Sequence, residues 1–229
     1  PRSLFCFPPP HLNNWFTCPR IQSDKNTTQS CFIITLEKLD AIKSKISQLL
    51  TPENLEKEDS HLFFHGTDYD STSSIFEEGI DPHCGSQKRD FSDGLGFYLI
   101  HDLNSAIRTA FGKTSKPAIL IYQLPKHILK ENFSKLSLCN KENETKWQTT
   151  VSQYRQGRQT KTLRQSVENI DFIEGPMASS YKLPPVAKEG SYQICALSEK
   201  FTEELDKYLY AIVFFKGIDT INSNMFDFI

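Results

Sequence analysis

The stretch HLFFHGTDYDSTSSIFEEGIDPHCGSQKRDFSDGLGFYLI, residues 61–100, decides how this chain is organised. It begins with a short apolar run at 62–64 that stops abruptly at a His-Gly-Thr triplet, 65–67. It ends with GLGFYLI at 94–100, where two glycines precede apolar and aromatic residues, a pattern typical of a turn that enters a strand. A polar residue at the end of one strand and an aromatic residue in another often line a small-molecule cleft.

Length and composition limit the classes of function. The 229 residues fit one large domain, or one domain with an appendage, and contain no apolar run long enough to suggest a membrane span. The net charge of −2 argues against a mainly electrostatic nucleic-acid binder. No secretory signal is visible, so we expect a cytoplasmic or nuclear protein with no membrane partner.

The six cysteines form no C-x-x-C pair, so we expect no zinc site and no other metal. Three of them, Cys6, Cys18 and Cys31, lie in a region rich in proline and asparagine. A disulfide there and free structural thiols are both open interpretations, because scattered spacing does not decide between them.

The pattern of apolar residues predicts two parts. Residues 1–60 form an irregular arm and a helix at 36–50, interpreted either as a segment packed on a neighbour or as the remnant of an upstream region, and residues 61–229 form the main domain. We predict strands at 62–64, 96–100, 118–124, 169–174, 192–197 and 209–215, and helices at 71–78, 102–111, 146–154, 162–168 and 198–207. The strands and helices follow no regular β-α-β order, which favours an α+β fold.

Three residues on separate predicted strands can bind a ligand. A neutral imidazole at His65 can hydrogen-bond a ribose hydroxyl, or the residue can be a turn histidine with a local bond, which is the commoner case for a lone His-Gly-Thr. The Tyr98 ring can stack on an aromatic ligand, or it can be a half-buried strand tyrosine. The amide of Gln193 can bond a hydroxyl but cannot supply a negative charge, and a cross-strand polar pair is the alternative.

In this order, His65-Gly66-Thr67, Gly94-x-Gly96-Phe97-Tyr98 and Tyr192-Gln193 resemble the three signature strands of the ADP-ribosyltransferase superfamily. The likeness is to its His-Tyr-Glu branch, which holds diphtheria-type toxins and poly(ADP-ribose) polymerases. Within that branch the chain is similar to a group of uncharacterised domains with a glutamine in the third motif. Further matching pieces are Asp90-Phe91, Ala110-Phe111 and the segment 171–178.

The resemblance implies a split β-sheet that holds NAD as a substrate, with no metal. It implies that His65 binds a ribose, that Gly66 backbone groups hold the carboxamide, and that Tyr98 stacks on the nicotinamide. The implied NAD contacts are His65, Gly66, Thr67, Gly96, Tyr98, Phe111 and Gln193. Nicotinamide would leave, and an acceptor in a protein or nucleic acid would receive a single ADP-ribose.

One departure from the family pattern matters for catalysis. The third motif usually supplies glutamate, and an amide stabilises a cationic transition state poorly. Asp171 and Glu174 are the candidate replacements, and we favour Asp171 as the catalytic carboxylate because it matches the family segment, although a turn cap explains it as well. Two alternatives remain: an NAD glycohydrolase with water as acceptor, and a module that binds NAD or ADP-ribose without turnover.

The basic residues between Arg155 and Arg164 have two interpretations. They can bind the pyrophosphate or an acidic acceptor, or they can form a solvated charged surface, which is the commoner case.

Overall fold

The computed structural model describes residues 16–21, 28–36, 41–42, 44, 60–85, 89–113, 116–130 and 133–215, with side chains described from Cys31 onward. Most of the predicted arm and of the predicted helix at 36–50 lies outside these residues. Of that helix, Leu36 instead ends a strand, and Ala41 and Ile42 are helical.

The described residues form a mixed α+β structure around one nine-stranded sheet with the order β1-β2-β9-β5-β3-β4-β8-β7-β6. The strands are β1 (Phe16–Ile21), β2 (Thr28–Leu36), β3 (Ser60–Asp68), β4 (Phe97–Ile100), β5 (Pro117–Pro125), β6 (Lys135–Ser137), β7 (Phe172–Gly175), β8 (Gln193–Ala196) and β9 (Leu209–Phe215). The helices are α1 (Tyr69–Glu78), α2 (Leu103–Lys113), α3 (Glu144–Gln156), α4 (Lys161–Val167) and α5 (Glu199–Asp206). The predicted main-domain strands and helices are confirmed, with shifted ends.

The N-terminal boundary differs from the expectation. We placed the main domain after residue 60, but β2 pairs in parallel with β9, so part of the preceding segment belongs to the same sheet. Strand β9 pairs with β2 along one edge and with β5 along the other, and its side chains are buried on both faces of the sheet, as the continuous apolar run LYAIVFF indicates.

Alternation along the strands divides the core between two faces of the sheet. We call them the Phe63 face and the Phe64 face, after two successive residues of β3. Helices α1 and α5 cover the Phe63 face with buried residues such as Phe76 and Phe201. Helix α2 covers part of the Phe64 face with Ala106, Ile107 and Ala110, and α3 and α4 cover the remainder with Trp147, Val151 and Leu163.

The cap of helix α1 is Asp68, whose side chain accepts a hydrogen bond from the Ser71 amide at 2.7 Å. The strand β3 therefore runs directly into the helix cap. Gly79 ends α1 with φ of 98°, and a side chain there would meet the carboxylate of Asp206.

Gly66 sets how closely α2 approaches the sheet. A Cβ atom at this position would lie 2.0 Å from the carbonyl oxygen of Ala106 and 3.0 Å from the amide nitrogen of Ala110. The backbone of α2 therefore covers the side of Gly66 on which a side chain would lie. Glycine is required here because the helix backbone packs directly on the strand.

We therefore expect Gly66→Ala to destabilise the fold by about 2–3 kcal/mol or more, because the rigid helix backbone must move. Gly112→Ala, in the same helix, is the matched control, because nothing lies within 4 Å of its Cβ position. The control should be neutral or stabilising by about 0.5–1 kcal/mol. Urea unfolding followed by circular dichroism measures both, and equal midpoints for the two variants would contradict the close approach.

Candidate functional site

The three strands that carry the motifs are consecutive neighbours in the sheet, in the order β3-β4-β8. Ile100 pairs with Phe64 of β3 on one side and with Gln193 of β8 on the other. The pairing of β3 with β4 is limited to this one register position, whereas β3 pairs with β5 along its whole length. The sheet is thus weakly joined at the point where the His65 and Tyr98 strands meet.

His65 bridges the weak junction with its side chain. Its Nδ1 atom lies 2.7 Å from the backbone oxygen of Tyr98. A carbonyl oxygen only accepts, so Nδ1 carries the hydrogen, and in a neutral ring Nε2 is then the acceptor atom. The imidazole also stacks on Phe97, with ring centroids 4.2 Å apart. Both contacts hold the ring in one orientation.

The side chains of His65 and Tyr98 do not face each other. His65 shares the Phe63 face with Phe97, whereas Tyr98 packs on the Phe64 face among Phe91, Cys195 and their neighbours. The expectation that His65 and Tyr98 contact one nicotinamide riboside is therefore not met in this structure, because their rings open onto opposite faces of the sheet. Tyr98 and Gln193 do share a face. Gln193 pairs with Ile100, and Tyr98 lies two residues before Ile100 in β4, so all three side chains point to the same side of the sheet.

Tyr98 is held by its hydroxyl group. The hydroxyl oxygen accepts a hydrogen bond from the Phe91 amide at 2.9 Å and lies 3.0 Å from the hydroxyl of Ser92. Burial raises the pKa of Tyr98 well above its usual value, and the neighbouring Cys195 adds to the shift. The phenol therefore stays neutral, and its ring is fixed with respect to the loop before β4.

Gln193 is oriented by two acceptors. It is only 4% exposed, and its Nε2 donates to Asp90 Oδ2 at 2.9 Å and to the Pro176 carbonyl at 3.2 Å. Since both partners accept, the amide has one consistent orientation, with Oε1 as its acceptor atom. In the described part of the chain, Oε1 makes no hydrogen bond.

Asp90 is the centre of the polar network at this site. Its Oδ1 accepts from Arg155 Nε at 2.8 Å and pairs with Nη2 at 2.6 Å, and its Oδ2 accepts from the Ala178 amide at 3.0 Å as well as from Gln193. The two side chains of this ion pair are 12% and 10% exposed. Arg155 also donates to the Ser180 carbonyl and lies 4.6 Å from the ring of Tyr181.

This ion pair was not predicted from the sequence, where Asp90 belongs to a short motif and Arg155 to a basic stretch. No local pattern links them, because they are 65 positions apart. One feature of the sequence does point to Arg155. It lies near the end of a predicted helix with an apolar face, where the aliphatic part of an arginine side chain packs beside the core.

Asp171 is a structural cap far from Gln193. Its oxygens accept from the Ser134 amide at 2.8 Å and from the Ser198 hydroxyl at 2.6 Å. It precedes β7 at the end where Phe172 pairs with Ala196, whereas Gln193 pairs with Gly175 at the opposite end. The turn-cap interpretation accounts for Asp171, and the structure does not bring it beside the third motif.

Glu174 lies on the other side of the sheet from Gln193. It pairs with Ile194 in the ladder and is 6% exposed. Its carboxylate accepts from the Tyr192 hydroxyl at 2.5 Å and pairs with Lys135 at 3.0 Å. The carboxylate nearest to Gln193 is therefore Asp90 and neither of the two that the sequence suggested.

The remaining predicted contacts have packing roles. Thr67 is 3% exposed on β3. Gly96 has φ of 101°, and a Cβ atom there would lie 2.5 Å from the Cys195 sulfur, so glycine is required. Phe111 packs edge-on against Phe215 of β9 at 4.9 Å. Because β5 and β3 lie between β9 and β4, Phe111 is not beside Tyr98.

The Asp90 network makes a prediction for Gln193→Glu. The new carboxylate would meet two acceptors and no donor, so we expect a loss of about 2–4 kcal/mol of folding stability. Adding Asp90→Asn supplies a donor, so the double variant should be more stable than the sum of the singles by about 1 kcal/mol or more. The exposed Gln156→Glu is the control, within about 0.5 kcal/mol of the parent. Urea unfolding measures the free energy of unfolding of each variant. If the effects of Gln193→Glu and Asp90→Asn simply add in the double variant, the contact between the two side chains is contradicted.

The neutral phenol of Tyr98 makes a pH prediction. The unfolded chain releases this proton near pH 10 and the folded chain keeps it, so stability falls as pH rises above about 10. Tyr98→Phe should make that fall shallower by about 1.4 kcal/mol per pH unit. Urea unfolding between pH 9 and about 11 measures the slopes. The exposed Tyr181→Phe should keep the parent slope, and an unchanged slope in Tyr98→Phe would contradict a buried hydroxyl.

Within the described residues, no group of three or more histidine, cysteine or acidic side chains is arranged to hold a metal ion. Cys84, Cys139 and Cys195 are free thiols, while Cys6 and Cys18, where a disulfide was open, lie outside the described side chains. None of the described helices is both long and apolar enough to cross a membrane.

Comparison with known proteins adds no assignment. No protein-family model matches the chain. A search of curated proteins likewise finds no match.

Proposed function

We propose that the chain is an ADP-ribosyltransferase-like enzyme that cleaves the nicotinamide–ribose bond of NAD and transfers one ADP-ribose to a protein or nucleic acid. The observation that carries this proposal is the adjacency of β3, β4 and β8, which bear His65, Tyr98 and Gln193. Three motifs separated by up to 128 positions meet at one weakly joined place in a sheet. A chance likeness of short motifs has no reason to produce that arrangement.

The groups at this junction suit a nicotinamide riboside. The partly exposed Tyr98 ring offers a flat surface for stacking on nicotinamide. Oε1 of Gln193 is an acceptor for a ribose hydroxyl, because Asp90 and Pro176 fix the amide nitrogen.

In this proposal the carboxylate that stabilises the developing positive charge is Asp90 and not Asp171. Departure of nicotinamide leaves positive charge on the ribose, which a nearby carboxylate stabilises. Asp90 shares its charge with Arg155, so this stabilisation is weaker than that of an unpaired glutamate. We therefore expect slow turnover, an acceptor that is already nucleophilic, and transfer of a single unit.

A second candidate is a module that binds NAD or ADP-ribose without turnover. The observation that favours it is the full engagement of Asp90, whose two oxygens are used by Arg155, Ala178 and Gln193. A carboxylate held this way activates no nucleophile unless the network rearranges. NAD hydrolysis, with water as acceptor, is the third outcome that product analysis separates.

The test is incubation of the protein with labelled NAD and mixed protein, DNA and RNA acceptors. We expect nicotinamide release and a mass increase of one ADP-ribose on one acceptor class. Tyr98→Ala and Gln193→Ala should lower turnover at least about tenfold, since each removes a contact to the reacting riboside, and Tyr98→Phe should retain most of it. The exposed Gln156→Ala is the control and should match the parent.

The other outcomes separate the candidates. Free ADP-ribose without a labelled macromolecule identifies a glycohydrolase. Saturable NAD binding by calorimetry, weakened in Tyr98→Ala and without nicotinamide release over hours, identifies the binding module. Absence of both binding and release, or turnover unchanged in both alanine variants, overturns the site.

A further inference from the structure

Strands β1 and β2 place two cysteines directly opposite each other. The strands are antiparallel, and their register pairs Cys18 with Cys31. Opposite residues of an antiparallel pair share a face of the sheet, with Cα atoms about 5.5 Å apart in a hydrogen-bonded pair and about 4.5 Å apart in the other kind of pair. Both separations lie within the range of about 4.4–6.8 Å that disulfides span. The register therefore meets the backbone condition for a disulfide.

The pair lies at the edge of the sheet. Strand β1 stands at the end of the strand order, and it contains Pro19, which has no backbone N–H. Proline within a strand is largely confined to such edges. Strand β2 is held on its other side by its parallel pairing with β9. A covalent bond between β1 and β2 would therefore fasten the edge strand to the body of the sheet.

Cys31 lies in an apolar setting. It is fully buried, in the cluster of the Phe63 face that also holds Ile33. In the structure it is reduced, and its thiol donates to the Phe32 carbonyl at 3.6 Å. Cys195, the other buried cysteine that the structure describes, belongs to β8, with four strands between β8 and β2. Cys195 is therefore too far away to compete with Cys18 for Cys31.

We propose that Cys18 and Cys31 form a disulfide when the chain meets a disulfide oxidant such as oxidised glutathione. One cysteine thiolate displaces a glutathione thiolate and forms a mixed disulfide, and the second cysteine then displaces the other glutathione. The two cysteine thiols lose two electrons and two protons, and one glutathione disulfide leaves as two glutathione thiols. The proposal does not depend on NAD cleavage, because neither cysteine belongs to the candidate NAD site.

The chain contains its own control for chance pairing. Cys6 and Cys18 are 12 positions apart, and Cys18 and Cys31 are 13 positions apart. The entropy of loop closure depends only weakly on loop length, so an unfolded chain has no preference between these two bonds. A preference for the bond between Cys18 and Cys31 must then come from the pairing of β1 with β2.

Oxidation in a glutathione redox buffer, with and without urea, tests this preference. The reduced protein is unfolded in urea and diluted into the buffer, so that burial of Cys31 does not exclude the oxidant. Remaining thiols are alkylated, and trypsin with chymotrypsin then cuts on both sides of Cys18, at Arg20 and Phe16, before mass analysis of the linked peptides. We expect the bond from Cys18 to Cys31 to exceed the bond from Cys6 to Cys18 at least about tenfold after refolding, with about equal yields in urea.

Two variants identify the bond and its effect. Cys31→Ser should abolish it, and Cys6→Ser is the matched control that should keep it. The oxidised Cys6→Ser protein should melt about 5 °C or more above the same protein after reduction, because the bond constrains the unfolded chain. Equal yields of the two bonds after refolding, or recovery of Cys18 mainly as a thiol or a glutathione adduct, would overturn the proposal.

Discussion

The bond between His65 Nδ1 and the backbone oxygen of Tyr98 is the interaction on which the candidate site depends. The ladder between β3 and β4 is limited to the pair Phe64–Ile100, so the side chain of His65 supplies the next connection between these strands. A side-chain bond of this kind fixes the histidine tautomer and the separation of the strands together.

Close helix packing fixes β3 beside that junction. Gly66 allows the backbone of α2 to lie directly on β3. On the same face, Asp90 joins Arg155, Gln193 and the segment after β7 into one network. A buried ion pair contributes less to stability than to a defined arrangement, because desolvation offsets much of its attraction. We infer that this network holds the third motif in position.

The two faces of the sheet carry different chemistry although they share strands. Tyr192 and Gln193 are adjacent in the chain, yet Tyr192 donates to Glu174 and Gln193 donates to Asp90, since successive residues of a strand point to opposite sides. Glu174 and Gly175 are divided in the same way, one toward Lys135 and the other toward Phe91. A shift of one residue in the register of β8 would exchange these partners, so strand register decides which residue meets Asp90.

The sequence by itself determined the α+β class, the main-domain strands and helices, and the three segments that meet at the junction. Apolar periodicity, glycine stops and caps such as Ser198 are local signals, which is why these predictions held. Local signals do not report which distant side chains share a face. Only the tertiary structure decided that His65 and Tyr98 point to opposite sides, that Asp171 is a cap, and that Asp90 holds Gln193. These features depend on the order and register of strands that are far apart in the chain. Strand pairing and side-chain burial form together there, so no local pattern in the sequence reports them.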